Sequence, residues 1–252
     1  MSLIRDADAV LAQTQIEIDY LVERGIAPER IVLAGVGVNP DEVLGGMGQH
    51  FREMTGLARP LVVYLGTSAY DKGTVHLVEA MRRLWDQESQ GETADLVLAG
   101  PVFDQFRAYL ETLPAKHRAR VQLLGFVDEQ LKRDVLDAAS LVAMPSRTDS
   151  FGIIYLEGWL YRKPVIGARA GGVPAVIDDE VDGYLVDFGD VEALARRIAT
   201  LLRDSALAAA MGGRGYSKVM QRYTWDRIYP VVEEVYERLT GSQPRLAREG
   251  LP

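Results

Sequence analysis

The sequence has no cysteine, which excludes a disulfide framework, thiolate metal sites and a cysteine nucleophile. Histidine is scarce. His50, His76 and His117 stand far apart without metal-ligand spacing, and none lies near the motif described below. A histidine acid–base catalyst is therefore not expected. No apolar run approaches the roughly 18 residues of a membrane-spanning helix, and the opening MSLIRDADAV lacks the apolar core of a secretory signal. Bases are outnumbered, 28 against 36 acids, for a net charge of −8. That disfavours nucleic-acid binding, and any anionic ligand must be held by local features against the overall field. No G-x-G-x-x-G follows an early strand, which disfavours a nicotinamide dehydrogenase. What remains is a globular composition, 48% hydrophobic and 25% charged, in a chain sized for one large or two small domains.

Short apolar runs recur along the chain: IVLAGVGV (31–38), LVVYLG (61–66), DLVLAG (95–100), VQLLGF (121–126), LVAMP (141–145), PVIGA (164–168) and YLVD (184–187). They show no clean alternation, as expected of strands covered on both faces of a parallel sheet. Between them, residues 72–88, 103–117, 129–139 and 191–203 carry helical stripes, such as Val75, Val78, Met81, Leu84 and Trp85. Alternating strands and helices predict an α/β, Rossmann-like parallel sheet with helices on both faces and right-handed crossovers. Ligands of such sheets sit beyond the carboxyl ends of the strands. Residues 6–24 read as one long helix ahead of the first strand. Residues 205–240 read as a helical cap broken at Gly212–Gly213, and residues 241–252 as a tail.

The segment most able to carry chemistry is MPSRTDSFGIIYLEGWLYRKPVIGARAGGVPAVI (144–177). It reads as strand, loop, helix, strand and Gly-rich turn. Asp149 or Ser150 suits the helix N-cap. The free amides and dipole of a helix start favour an anion, and Gly152 lets a bulky anion approach the backbone. Glu157 follows Asp149 by eight residues, a helical rise of about 12 Å with an offset near 80°. On one helix the two carboxylates would share a side and bracket a diphosphate, each accepting from sugar hydroxyls. The plainer alternative makes Asp149 a capping residue and Glu157 a solvated one. Lys72 opens another helix, where it opposes the dipole, so an anion is its expected partner. Tyr155, Trp159 and Tyr161 read as packing residues.

Taken together, VVYLGTSAYDKGTVHLVEAM, DLVLAGP, VQLLGFVDEQLKRDVLDAASLVAMPS, DSFGIIYLEGW, KPVIGARAGGVPAVI, DGYLVDFGDVEALARRI and YTWDRIYPVVEEVYERL resemble the C-terminal, donor-binding half of a family 4 (group 1) glycosyltransferase of the GT-B fold. The resemblance spans roughly residues 30–240, and residues 1–30 resemble the end of such an enzyme's N-terminal domain. It implies a retaining glycosyltransferase whose Asp149 contacts the transferred sugar, Glu157 the donor ribose and Lys72 the diphosphate. The stretch Ser150, Phe151, Gly152, Ile153 and Ile154 would hold sugar and diphosphate, largely through backbone amides. Gly66 and Thr67 would border the diphosphate, and the backbone of Val127 would meet the nucleobase. The implied donor is a UDP-, GDP- or ADP-sugar and the acceptor a sugar or lipid held by an absent half, without which the domain is expected to be inactive. No cofactor and no metal are implied. A cytoplasmic location is expected, with the intact protein peripheral to the inner face of a membrane.

Three positions depart from the family pattern. Thr67 replaces an arginine whose charged hydrogen bond would be worth roughly 1.5–3 kcal/mol, with Arg147 as the candidate substitute. Asp149 replaces a glutamate, and Ala175 an acid after the Gly171–Gly172 turn. These departures leave room for reduced or altered activity: Thr67, Asp149 and the absent half support a first alternative, a non-catalytic nucleotide-sugar-binding module, and a second is a GT-B-like sugar-nucleotide epimerase.

Overall fold

The structure is a computed structural model, and it describes residues 2–87 and 93–241. Eight strands form in chain order: β1 (Val10–Ala12), β2 (Ile31–Leu33), β3 (Leu61–Leu65), β4 (Asp95–Ala99), β5 (Val121–Gly125), β6 (Leu141–Met144), β7 (Val165–Ala168) and β8 (Gly183–Val186). The helices are α1 (Ser2–Asp6), α2 (Gln15–Glu23), α3 (Pro40–Val43), α4 (Gly48–Thr55), α5 (Thr74–Asp86), α6 (Asp104–Glu111), α7 (Ala115–Arg118), α8 (Glu129–Ala138), α9 (Ile153–Leu160), α10 (Val191–Arg203), α11 (Ser205–Arg222) and α12 (Trp225–Thr240).

Six strands form one sheet in the order β5-β4-β3-β6-β7-β8, every pair parallel. β3 and β4 are buried along their whole length, which is why their sequences are continuously apolar rather than alternating. From β3 the chain moves outward through β4 and β5, then returns to β6 on the other side and continues through β7 to β8. Right-handed crossovers in opposite directions place helices on opposite faces. Accordingly α5 packs on α10, while α8 packs on α4 and α9 on α11. The reversal leaves a crevice between the carboxyl ends of β3 and β6, where open α/β sheets bind ligands.

Side-chain caps fix several helix starts. Asp128 accepts from Leu131 N–H at the head of α8, and Asp190 from Ala193 N–H at the head of α10, each at 2.8 Å. The region 103–117 divides into α6 and α7 because Leu113–Pro114 interrupts it.

Two helix expectations are corrected. Residues 6–24 are not one helix: Val10–Ala12 pair in parallel with Ile31–Leu33 as a separate two-stranded sheet. Thr14 then starts α2 afresh, its side chain accepting from Glu17 N–H. That sheet has its own small core of Ala12, Leu21, Ile26 and Ile31. The C-terminal helices break at Tyr223–Thr224, where the chain pairs with Val38: Val38 N–H donates to Tyr223 O at 2.8 Å, and Trp225 N–H to Val38 O at 3.2 Å. Gly212 and Gly213 stay inside α11. Gly212 serves packing instead, since a Cβ there would stand 1.9 Å from Arg162 O. Trp159 fits against Gly215 by the same close approach and donates Nε1–H to Asp182 O at 2.9 Å. Tyr155 and Tyr161 also act as packing residues, donating to Met144 O and Val43 O at 2.7 Å each. The tail beyond Gly241 lies outside the described residues.

Candidate functional site

Two loops build the site. After β3 the chain turns at Gly66–Thr67, and the buried Tyr64 hydroxyl donates to Thr67 O at 2.8 Å. Burial, with the nearby charges of Asp149 and Asp71, pushes the Tyr64 pKa well up, so it stays a donor. The loop ends at Gly73, whose φ of +74° suits glycine and whose missing Cβ would lie 2.1 Å from Pro145 O. That close approach presses the head of α5 against the end of β6. It brings Lys72 Nζ to 2.7 Å from Asp149 Oδ1, in a pair whose side chains are 30% and 15% exposed.

The second loop follows β6. Arg147 N–H donates to Asp71 O at 3.1 Å, tying the two loops together. Below, the Gly171–Gly172 turn supports the Asp149–Ser150 backbone. Gly172 N–H donates to Asp149 O at 3.0 Å, and Cβ atoms at these glycines would stand 2.2 Å from Asp149 O and 1.7 Å from Ser150 O. Gly152, with φ +86°, is the N-cap of α9 and makes no side-chain cap. The amides of Phe151, Gly152, Ile153 and Ile154 donate to no protein acceptor among the described residues. They sit at the positive end of the helix and face a cleft of about 510 Å³.

The structure corrects the N-cap expectation. Asp149 and Ser150 precede α9 by several residues, so the helical arithmetic linking Asp149 to Glu157 does not apply. Asp149 is held by Lys72 instead, and Glu157 sits in the second turn of α9, bonded by Lys132 of α8 at 3.0 Å. Burial pushes the Glu157 carboxyl above the usual range, against the opposing pull of Lys132.

Gly66, Thr67, Lys72, Asp149, Ser150, Phe151, Gly152, Ile153 and Ile154 all line the cleft. Val127, between β5 and α8, and the nearly buried Glu157 lie outside that lining. Gln13, Val36, Tyr64, Leu65, Met144 and Thr148 complete the lining and were missed. Gln13 and Val36 come from the ends of the small sheet, with no local signal to find them. Tyr64 could have been noticed as the one hydroxyl in an aliphatic strand. Arg147 does not serve the cleft: its guanidinium carbon lies 5.2 Å over the Phe188 ring. None of the three histidines lines it either. Among the described residues no helix is long and apolar enough to cross a membrane.

Residues 49–218, more than half of the chain, match the family described as "Glycosyl transferases group 1". The chain belongs to the group 1 glycosyltransferases. Among similar proteins is the D-inositol 3-phosphate glycosyltransferase of Xylanimonas cellulosilytica, 30% identical over 96% of this chain and 60% of that protein. Among solved structures, the sucrose-phosphate synthase of Thermosynechococcus elongatus is similar at a TM-score of 0.81 and 26% identity, over 95% of this chain and 60% of that one. The Anabaena protein HepE in complex with UDP is similar in fold at a TM-score of 0.79 and 22% identity, over 94% of this chain and 64% of that one. The chain thus spans about 60% of the length of each. Its six-stranded parallel sheet with C-terminal helices thus matches the fold of GT-B glycosyltransferases.

Proposed function

We propose that this domain binds a nucleotide-diphospho-sugar in the cleft between β3 and β6. It would support transfer of the sugar, with retention at the anomeric carbon, to an acceptor held by a further domain. The observation that carries the reading is the convergence of Lys72, Asp149 and the four unbonded amides of residues 151–154 on one cleft. A diphosphate supplies the acceptors those amides lack, and Lys72 can share its protons between the phosphate and Asp149. As the glycosidic bond to the leaving phosphate lengthens, charge builds on the diphosphate oxygens, where preorganised donors act most strongly. Asp149, drawn towards the lysine, orients the sugar and faces the positive charge that develops on its ring. The ammonium group and helix terminus provide the positive potential that a metal would otherwise supply. HepE, similar in fold, was solved with UDP and with UDP-glucose, which makes uracil the first base to test.

Calorimetry with UDP, GDP, ADP and their glucose conjugates tests the reading. At least one should bind the parent, and Lys72→Ala should weaken it tens-fold, the worth of a charged hydrogen bond of about 1.5–3 kcal/mol. Parent-like binding by that variant would contradict the assignment. Thr67 favours a second reading, a nucleotide-sugar-binding module without catalysis, because among the described residues Lys72 is the one basic side chain in the cleft lining. Supplying the acceptor domain in trans separates the two: transfer restores the first reading, and binding without transfer supports the second.

A further inference from the structure

α8 and α9 lie on the same face of the sheet, α8 against β3 and α9 against β6 and β7. Both begin at the carboxyl edge, so Lys132 and Glu157, the fourth and fifth residues of their helices, lie at matching depth, about 6 Å along each axis. Lys132 Nζ is shared by two carboxylates, 2.8 Å from Glu129 Oε2 and 3.0 Å from Glu157 Oε1. The Glu157 side chain is 11% exposed. Its Oε2 makes no hydrogen bond among the described residues, yet it is not a buried orphan. One carboxylate oxygen is therefore fixed by the protein while the other is left without a hydrogen bond, one helical turn after the cleft-lining Ile153. Five residues before Lys132, outside the helix and just ahead of the α8 cap Asp128, stands Val127.

We propose that Lys132 is a positioning residue for the nucleoside end of the donor site. It clamps Glu157 through Oε1 so that Oε2 faces a ribose hydroxyl, and it ties that carboxylate to the α8 turn beside the base. The inference rests on the nucleotide-sugar reading above and adds a residue to it. Physically, a carboxylate this deeply buried is costly unless paired. A lysine that also bonds an exposed glutamate on its own helix supplies the pairing without consuming both oxygens. The other neighbours of α9 offer no substitute. β6 and β7 have only uncharged side chains, the charged residues of α3 are the exposed acids Asp41 and Glu42, and on α11 Arg222 is exposed, Arg214 donates to Val181 O, and Lys218 is engaged with Asp178 and Asp182. Lys132 and Glu129 are thus the charged groups whose field Glu157 feels.

The test is calorimetry of the parent, Lys132→Ala, Lys132→Arg, Glu157→Gln and the double variant Lys132→Ala/Glu157→Gln, with UDP and with inorganic pyrophosphate as the probe lacking a ribose. Lys132→Ala should weaken UDP about tenfold at pH 7 and leave pyrophosphate unchanged, with Lys132→Arg restoring most of the loss. The double variant should be no weaker than Glu157→Gln alone, since the lysine acts through the glutamate. Between pH 8 and pH 5.5 the UDP affinity of Lys132→Ala should fall more steeply than the parent's, because Glu157 without its lysine protonates sooner. Equal losses for UDP and pyrophosphate would mark a structural role and overturn the proposal, as would parent-like UDP binding by Lys132→Ala. Failure of the parent to bind pyrophosphate and all of UDP, GDP and ADP would instead overturn the nucleotide-sugar reading itself. If Lys132→Ala does not fold, the Arg and Gln variants still decide: a Glu157→Gln protein that binds UDP as the parent does removes the basis of the clamp.

Discussion

Gly172→Ala isolates what packing contributes to the shape of the cleft. Gly172 has φ −87° and ψ −6°, a conformation open to any residue, so alanine adds no backbone strain. Its Cβ would nevertheless stand 1.7 Å from Ser150 O and 3.2 Å from the Thr14 methyl, where ordinary contact begins at 3.4 Å. The obstructing atom is backbone, so the Ser150 peptide must retreat by on the order of 1.5 Å in a close-packed setting. That peptide leads directly into the amides of residues 151–154. Overpacking of this kind costs about 1–3 kcal/mol, and misplacing binding groups by about 1 Å can cost about a hundredfold. Urea unfolding should therefore show a loss of about 1–3 kcal/mol, and calorimetry a ten- to hundredfold weaker UDP complex. Gly213→Ala is the matched control. It lies in α11 with nothing within 4 Å of its would-be Cβ, so it should stabilise by about 0.5–1 kcal/mol and leave binding alone. A Gly172→Ala protein with parental UDP affinity would refute the claim that the Gly-Gly turn sets the position of the cleft's amides.

Thr67→Arg should tighten UDP binding by about tenfold in calorimetry, because it returns a second cation to the cleft wall; unchanged or weaker binding would show that residue 67 does not face the diphosphate. Glu157→Gln should be more stable relative to the parent at pH 7 than at pH 4.5. The folded state raises this carboxyl above its ordinary 4.5, so it binds more protons than the unfolded chain, and the parent loses stability as pH rises from about 4.5. Urea midpoints at both pH values check this, and a difference that stays constant between them would count against it. EDTA should leave UDP affinity unchanged, since Lys72 and the α9 terminus supply the positive potential; a tenfold loss on chelation would point to a divalent ion at the diphosphate.

The main sheet was legible because its signal is local. Each run from 61 to 187 is a short apolar stretch ending near a glycine or proline, and every one of them became a strand of the six-stranded sheet. The first helix was not legible, since DADAVLAQTQIEIDYLVER carries helical periodicity throughout. What makes Val10–Ala12 a strand is Ile31–Leu33, about twenty residues away, and no local pattern encodes that pairing. The C-terminal break fails to show for the same reason. Gly212–Gly213 is the obvious weak point by propensity, but packing against Arg162 and Trp159 uses the missing side chains of Gly212 and Gly215. The real break at Tyr223–Thr224 is set by Val38, from the far end of the chain.

The same division runs through the site. Residues 66–72 and 149–154 were recognisable as two sequence motifs, but their chemistry depends on meeting, and the meeting is governed by contacts that neither motif announces. Gly73 against Pro145 draws Lys72 to Asp149. Gly171 and Gly172 beneath Asp149 and Ser150 leave the next four amides unbonded at the mouth of α9. Reading Asp149 as a helix cap was reasonable in isolation, because aspartate commonly caps. The geometry gives the cap to Gly152 and frees the carboxylate for Lys72, so a residue that could have closed the helix end leaves its amides open. That trade, a weaker helix start for four available donors, suits an anion that completes the bonding, and it links the packing of four glycines, Gly73, Gly152, Gly171 and Gly172, to the chemistry proposed for the cleft.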